Sequence, residues 1–426
     1  MDRTRLPLRT TIAALLGGLA GLLSRLLGRG SGGTIPGRIT LALAPEALAQ
    51  LTAGRRVLLV SGTNGKTTTT SYLAAALRSA GPVVTNEGGS NLARGLATAM
   101  LLSRRDTTSP VVLEVDEVVL PYAIAQTRPV AVVLLNLSRD QLDRLGEVAS
   151  HVSRWSQALS THQGVVVVAN ADDPLVVDAV HTARPDGHGV VFVGAGGSWR
   201  QDASLCPRCG APLPLDRLYQ CPRCDFARPA TGWAVEDDLL IRPDGAPVPL
   251  ELGLPGRANR GNAAQAAAAA MQVGIDPVDA VAQMRAVTEV SGRYLVVKVD
   301  GTEAQLLLAK NPAGWAEALD LVASRTTPVV LAINARTADG TDPSWLWDVP
   351  FELLQGRQVA ITGERVWDLA VRLDHAEVPY DVADDVAGGI RRVGGARCDV
   401  VANYTAFTTA RAALLRGDLA VTEGTR

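Results

Sequence analysis

The sequence has almost no lysine. Of 41 basic residues in 426, only Lys66, Lys298 and Lys310 are lysines. Where a generic cation would serve, the chain uses arginine. At Lys66 a compact, flexible ammonium has been kept in a glycine-bearing loop, where a bulky planar guanidinium would fit poorly. An excess of one charge is missing too. The net charge is −2, which argues against a polyanion such as nucleic acid as the main partner. The five cysteines do not make a disulfide scaffold in a chain this long. There is no internal repeat and no long low-complexity tract. Nor is there an uninterrupted apolar run of about 20 residues, the length a membrane-spanning helix needs. Thr11–Leu27 comes nearest, but Arg9 and Arg25 flank or interrupt it. Leu26-Leu27-Gly28-Arg29 is a poor signal-cleavage site. The expectation is an amphipathic helix packed on the protein, and the alternative is a helix resting on a membrane surface.

What is present supports sizeable cores and two or three domains: 47% of the residues are hydrophobic. The chain is organised around Val57-Leu58-Leu59-Val60-Ser61-Gly62-Thr63-Asn64-Gly65-Lys66-Thr67-Thr68. Four apolar residues run into two glycines, a lysine and threonines, and a helical run follows over Thr69–Ala80. This reads as strand, phosphate-cradling turn and helix. Glycines let backbone N–H groups approach an anion, and the helix N-terminus adds positive potential. Gly62, Thr63, Asn64, Gly65, Lys66, Thr67 and Thr68 are thus the predicted nucleotide loop. Lys66 would reach the outer phosphates, and Thr67 would offer a hydroxyl to Mg²⁺. Val60 stands where the common spacing has a glycine, so this is a shorter variant of that loop.

Short strands are expected at Pro82–Thr85, Val111–Val115, Val130–Leu135 and Val165–Ala169, alternating with helical stretches. That alternation means a parallel sheet covered on both faces. Several of these strands end in polar residues, as at a ligand crevice. Glu114 is the first choice for the Mg²⁺ ligand, with Asp116 and Glu117 beside it. Cys206-Pro207-Arg208-Cys209 and Cys221-Pro222-Arg223-Cys224 are two C-x-x-C knuckles with 11 residues between them. They predict a structural Zn²⁺ held by Cys206, Cys209, Cys221 and Cys224, with a small hairpin such as Leu213–Tyr219 spanning the gap. Four thiolates leave no open position for catalysis. Thiolates and a nucleotide loop both suit a reducing cytoplasm.

An alanine-rich helix is expected at Ala263–Val273, preceded by Asn259, Arg260 and Asn262, which could meet a base or phosphate. A second α/β unit begins near Leu295. It carries a loop over Asn334–Ser344 and then Trp345-Leu346-Trp347-Asp348; Trp315, Trp345 and Trp347 are expected in its core. The boundaries expected are an N-terminal lead-in over 1–54, a nucleotide-binding domain over 55–294 with a ribbon insertion near 199–230, and a smaller Rossmann-like domain over 295–426.

The Gly62–Thr68 loop, Asn136–Arg144, Asn170–Pro174, Asn259 with Asn262, and Ser291-Gly292-Arg293 together resemble the Mur ligase family. The resemblance implies an α/β fold with a central P-loop domain. It implies an ATP-dependent carbon–nitrogen ligase of peptidoglycan biosynthesis, working through an acyl phosphate with Mg²⁺. Lys66, Thr67 and Glu114 would act at the phosphates and metal, and Asn259 and Arg293 would lie along the nucleotide. The four-cysteine ribbon, Asp140–Arg144 and the Ala338–Asp348 stretch resemble the branch that amidates lipid II. There the D-glutamate α-carboxylate becomes D-isoglutamine at the inner membrane face. Amino-acid-adding relatives have a metal-binding histidine where this chain has Gln141. Several also carbamylate a lysine, yet no lysine lies between Lys66 and Lys298. A second metal would fall to Asp140 or water.

Ammonia needs a source, which normally takes a cysteine nucleophile beside a histidine base. With four cysteines assigned to zinc, only Cys398 remains, and His375 is the one histidine of the C-terminal domain. Neither has a recognisable setting, so a separate glutaminase subunit is expected. The resemblance makes it a GatD-like partner in a heterodimer, whose Cys–His pair is completed by Asp342, with Asp348 in reserve. The rival readings are an autonomous amino-acid-adding ligase of Mur or folylpolyglutamate type, and a nucleotide-binding scaffold subunit without chemistry of its own.

Overall fold

The structure is a computed structural model. It describes residues 6–26, 34–86, 90–104, 106–139, 145–196, 201–214, 218–290 and 293–415. Glu87–Gly89, Asp140–Arg144 and Ser291-Gly292 therefore lie outside the described residues, as does the middle of the expected Leu213–Tyr219 hairpin. The chain divides into two compact units. The first comprises the chain up to Leu137, Gly146–Leu254 and Ala258–Thr288; the second comprises Ser138–Leu145, Pro255–Arg257 and the chain from Glu289.

The strands of the first unit are β1 (Val57–Ser61), β2 (Val84–Thr85), β3 (Val111–Glu114), β4 (Ala131–Leu134), β5 (Val166–Asn170), β6 (Val190–Gly194), β7 (Trp233–Glu236), β8 (Leu239–Ile241) and β9 (Pro247–Pro249). They form one sheet in the order β2-β3-β1-β4-β5-β6-β7-β8-β9. The pairs from β2 to β7 are parallel, and β7-β8-β9 closes the edge as an antiparallel meander. β1, β3 and β4 are buried throughout, as unbroken Val/Leu runs covered on both faces should be. The Arg257–Met271 helix buries its whole alanine run, Ala263–Ala270. Small side chains let it sit among neighbours on every side, and alanine's helix propensity keeps it regular. β6 has no counterpart among the sequence expectations. Its face is only partly buried at Val190–Phe192, and a short run of that kind carries little periodic signal.

The N-terminal helix forms over Leu8–Leu26 and packs on the Ile35–Leu43 helix. Its sidedness reverses the simplest amphipathic expectation. Thr10, Ala13, Ala14, Gly17 and Gly21 face the protein, while the leucines face outward. The backbones approach closely enough that a Cβ at Gly17 would lie 2.5 Å from the Pro36 carbonyl oxygen, and one at Gly21 2.6 Å from Pro36 Cγ.

The second unit has β10 (Tyr294–Val299), β11 (Thr302–Leu308), β12 (Val329–Ala332), β13 (Val359–Thr362), β14 (Asp381–Val382) and β15 (Arg397–Ala402). Their order is β10-β11-β15-β12-β13-β14. All pairs are parallel except the β10–β11 hairpin. Asp300 and Gly301 turn that hairpin with φ of +46° and +92°, the left-handed pair that a two-residue hairpin turn requires. Helices on both faces give two cores, one around Trp315, Trp345 and Phe351, the other around Phe407 and Cys398. Trp315 and Trp345 are buried as expected; Trp347 is 54% exposed.

Candidate functional site

The carboxyl ends of β3, β1, β4 and β5 are neighbours, so Glu114, the Gly62–Thr68 loop, Asn136 and Asn170 stand along one edge of the first sheet. The loop is built by glycine at two points. Gly62 has φ +145° and Gly65 has φ +84°, conformations other residues rarely take. Asn136 fastens the loop: Thr63 N–H donates to its carbonyl at 2.9 Å and Asn64 N–H to its Oδ1 at 2.8 Å, while its Nδ2 donates to the Asn64 carbonyl at 3.0 Å.

The helix after the loop spans Lys66–Arg78, three residues earlier than its threonine-rich start suggests. Its N-cap, Gly65, gives no side-chain hydrogen bond, and the first turn holds no acid. First-turn N–H groups lack intrahelical acceptors, so an uncapped start offers them, with the helix dipole, to an anion. Lys66 opens that turn and is buried. Its Nζ donates to Gly62 O at 2.5 Å, to Thr63 O at 3.2 Å and to Glu117 Oε2 at 2.9 Å. The amine thus lies over the loop's backbone, and the loop fits a phosphate group. Thr67 is partly exposed beside it and Thr68 is buried.

Glu114 is also buried, at the end of β3. Its side chain accepts from Asn91 Nδ2 at 3.1 Å, and its backbone is bracketed by Asn86 through bonds of 2.8 Å in each direction. Glu117, three residues on, is the acid that meets Lys66, and Trp155 Nε1 donates to its carbonyl at 3.0 Å. The sequence flagged Glu117 only as a neighbour of Glu114. Asn262, expected from the sequence only to face a base or phosphate, also shapes the loop. A Cβ on Gly65 would meet its Oδ1 at 2.6 Å, so the helix carrying it walls the loop. Asn259 lies in the first turn of that same helix. Arg293 belongs to the second unit, where its N–H donates to Val290 O and its carbonyl accepts from Leu308 N–H.

The four ribbon cysteines converge, with all Sγ atoms within 4.8 Å of one another. The pairs Cys206–Cys224 and Cys209–Cys221 are 3.6 and 3.5 Å apart. Tetrahedral Zn–S bonds of about 2.3 Å put ligand sulfurs somewhat under 4 Å apart, so the cluster fits Zn²⁺. Each knuckle is a small turn: Cys206 N–H donates to Ala211 O, and Cys221 N–H to Phe226 O. The ribbon rests on the sheet unit through Tyr219, whose hydroxyl donates to Ala171 O at 3.1 Å, and through the Arg228–Asp172 ion pair at 2.8 Å.

In the second unit Asp342 is exposed. Bonds from the Ser344 hydroxyl at 2.6 Å and N–H at 2.9 Å hold its carboxyl below the usual range. Buried Asp339 anchors this loop, accepting from the Arg336 and Thr405 N–H groups and from the Thr405 hydroxyl. Asp342 and Ser344 line an open cavity of about 540 Å³ with Trp347, Arg365 and Trp367. Asp348 pairs with Arg139 at 3.3 Å. Cys398 is buried within β15, and burial pushes its thiol up to about 12. His375 stacks edge-on to Trp347 with ring centroids 5.0 Å apart.

Two family models match the chain: "Mur ligase middle domain" over residues 60–207 and "MurT ligase C-terminal" over residues 308–407. A Staphylococcus aureus (strain N315) protein named lipid II isoglutaminyl synthase (glutamine-hydrolyzing) subunit MurT is 28% identical, covering 88% of this chain and 90% of its own length. The Streptococcus pneumoniae protein of the same name is 29% identical, covering 81% of each. Among solved structures, a pseudomurein peptide ligase type C from Methanothermus fervidus superposes with a TM-score of 0.65 at 18% identity, over 87% of this chain and 80% of that one. That likeness shows the fold.

Proposed function

The chain belongs to the Mur ligase family, and from that premise we propose that it is the ATP-using subunit of a lipid II amide synthase in peptidoglycan biosynthesis. The D-glutamate α-carboxylate of the lipid II stem attacks the γ-phosphorus of ATP, giving an acyl phosphate and ADP. Ammonia then adds to the acyl carbon, phosphate leaves, and a proton is lost to give D-isoglutamine. A carboxylate is a poor electrophile until one oxygen becomes a phosphate leaving group, which is why ATP is spent. Lys66 would leave Glu117 and the loop carbonyls to stabilise the transferring phosphoryl group, over N–H groups of the Gly62–Thr68 loop. Thr67 and Glu114 would hold Mg²⁺, which supplies neutralisation of phosphate charge. Asn259 and Arg293 would lie along the nucleotide. Cys206, Cys209, Cys221 and Cys224 would hold Zn²⁺ as a structural brace.

The reading is carried by the C-terminal unit, where the chain matches the MurT family and Asp342 stands exposed on an anchored loop. With Cys398 buried and its thiol neutral, ammonia would come from a GatD-like glutaminase partner. Asp342, or Asp348 in its stead, would complete that partner's Cys–His pair. Exposed Trp347 and Trp367 beside Asp342 suit such a contact, since interfaces favour aromatic residues.

The test measures phosphate release and product mass with lipid II, ATP and glutamine, with and without a glutaminase subunit. Amidation is expected only with the partner, or with ammonium salt alone. Lys66→Ala should cost at least about 100-fold in rate by either route. Asp342→Asn should stop the glutamine-fed reaction and spare the ammonium-fed one. Amidation from glutamine by this chain alone would overturn the two-subunit reading. Amino-acid addition would favour the autonomous ligase, and ATP binding with no phosphate release in any company the scaffold.

A further inference from the structure

The N-terminal helix presents a large apolar face to solvent. Leu8, Ile12, Leu15, Leu16, Leu19, Leu22, Leu23 and Leu26 are between 47% and 76% exposed. At 3.6 residues per turn they fall within an arc of about 120°. Thr10, Ala13, Ala14, Gly17 and Gly21 occupy the opposite arc and are buried against the Ile35–Leu43 helix. Small residues thus fix the helix to the protein at close range, and the long apolar ones are left outside. Isolated exposed leucines need no explanation, but eight apolar side chains on one stripe do.

We infer that this stripe is a docking surface for an anionic lipid bilayer, on which the helix lies parallel to the membrane plane. Charge selects this occupant. Between Asp2 and Glu46 the sequence carries six arginines and no carboxylate. Among them Arg9 is exposed and donates to Leu43 O at 2.7 Å, and Arg38 is exposed on the adjoining helix. A leucine face flanked by arginines suits acyl chains below and phosphate headgroups beside them. A second copy of the chain would set these like charges against each other. The helix does not cross: among the described residues no helix is long and apolar enough to span a membrane. The choice of lipid over protein also leans on the proposed lipid-linked substrate, which this stripe would bring within reach.

The test is flotation of the full chain with phosphatidylcholine vesicles, with and without phosphatidylglycerol, and without ATP, substrate or partner. Binding should require phosphatidylglycerol and weaken as salt is raised. The triple variant Leu15→Gln, Leu19→Gln, Leu22→Gln should bind at least about tenfold more weakly. Its thermal unfolding midpoint should stay unchanged, because these side chains face away from the protein. The matching triple Leu→Met variant should bind like wild type. Absent binding, or binding that the glutamine variant leaves intact, overturns the inference. So does a wild-type dimer in solution that the glutamine variant dissolves, or loss of the glutaminase partner with vesicle binding unaffected. Amidation of detergent-solubilised lipid II is measured separately: if it persists while vesicle binding fails, only this inference falls.

Discussion

Gly65 shows how much a single residue can fix at this loop. Its φ is +84°, and a Cβ there would come within 2.6 Å of Asn262 Oδ1, so the Asn262 side chain would have to move. Gly65→Ala should cost about 1–2 kcal/mol from the left-handed backbone alone, with the Asn262 clash added. A unit of this size loses about 2–4 °C of melting temperature per kcal/mol. We expect a fall of several degrees by differential scanning fluorimetry, together with loss of ATP-analogue binding by calorimetry. Cys398 makes the opposite point. Burial within β15 and a thiol pushed up to about 12 leave almost no thiolate at neutral pH, and the thiolate is the nucleophile. In the folded, zinc-loaded protein, iodoacetamide near neutral pH should leave Cys398 unlabelled by peptide mass mapping. The unfolded chain should label there. Labelling of native Cys398 would restore it as a candidate nucleophile within this chain.

At the scale of elements, the ribbon is the piece whose stability is most plainly borrowed. Its own apolar cluster is small: Ala211, Leu213, Tyr219 and Phe226 with two cysteines and Val177 of the neighbouring helix. A core of that size offsets little of the entropy of ordering the segment, so a Zn²⁺ held by the four cysteines would supply the rest. One zinc per chain is expected by atomic absorption, and Cys221→Ser should lower that content. Stripping the metal should open Arg208 and Arg223 to trypsin while the sheet's far-UV circular dichroism is retained. A metal-free ribbon that resists trypsin as the loaded one does would contradict this account. The Asn334–Ser344 loop is held by different means, since buried Asp339 accepts bonds from both Arg336 and Thr405. That tether lets Asp342 stand exposed at a defined place.

On the scale of the whole chain, legibility followed the range of the interactions. Val57–Thr68 could be read because strand, turn and helix N-terminus are specified by neighbours a few residues apart. The two C-x-x-C knuckles could be read because metal geometry dictates their spacing. The Lys66–Glu117 pair could not be read, because three residues past a strand the backbone's path decides where a carboxylate points. The N-terminal helix was legible as a helix, but not as to which face it buries. Leucine and glycine stripes lie on opposite sides of the same cylinder, and only the partner helix shows which is inside. Trp347 departed from Trp315 and Trp345 for a related reason, lying on a short turn beside them but pointing away from their core.

The amino-acid order by itself determined the α/β alternation, the glycine-bearing turn with its lysine and the four-cysteine cluster, because each depends on local backbone preference or on the spacing of the cysteines. Tertiary structure decided the ion pair at Lys66, the wall that Asn262 makes against Gly65, the burial of Cys398 and the outward turn of the leucine stripe. These depend on which distant surfaces meet, and burial is a property of the meeting rather than of the residue.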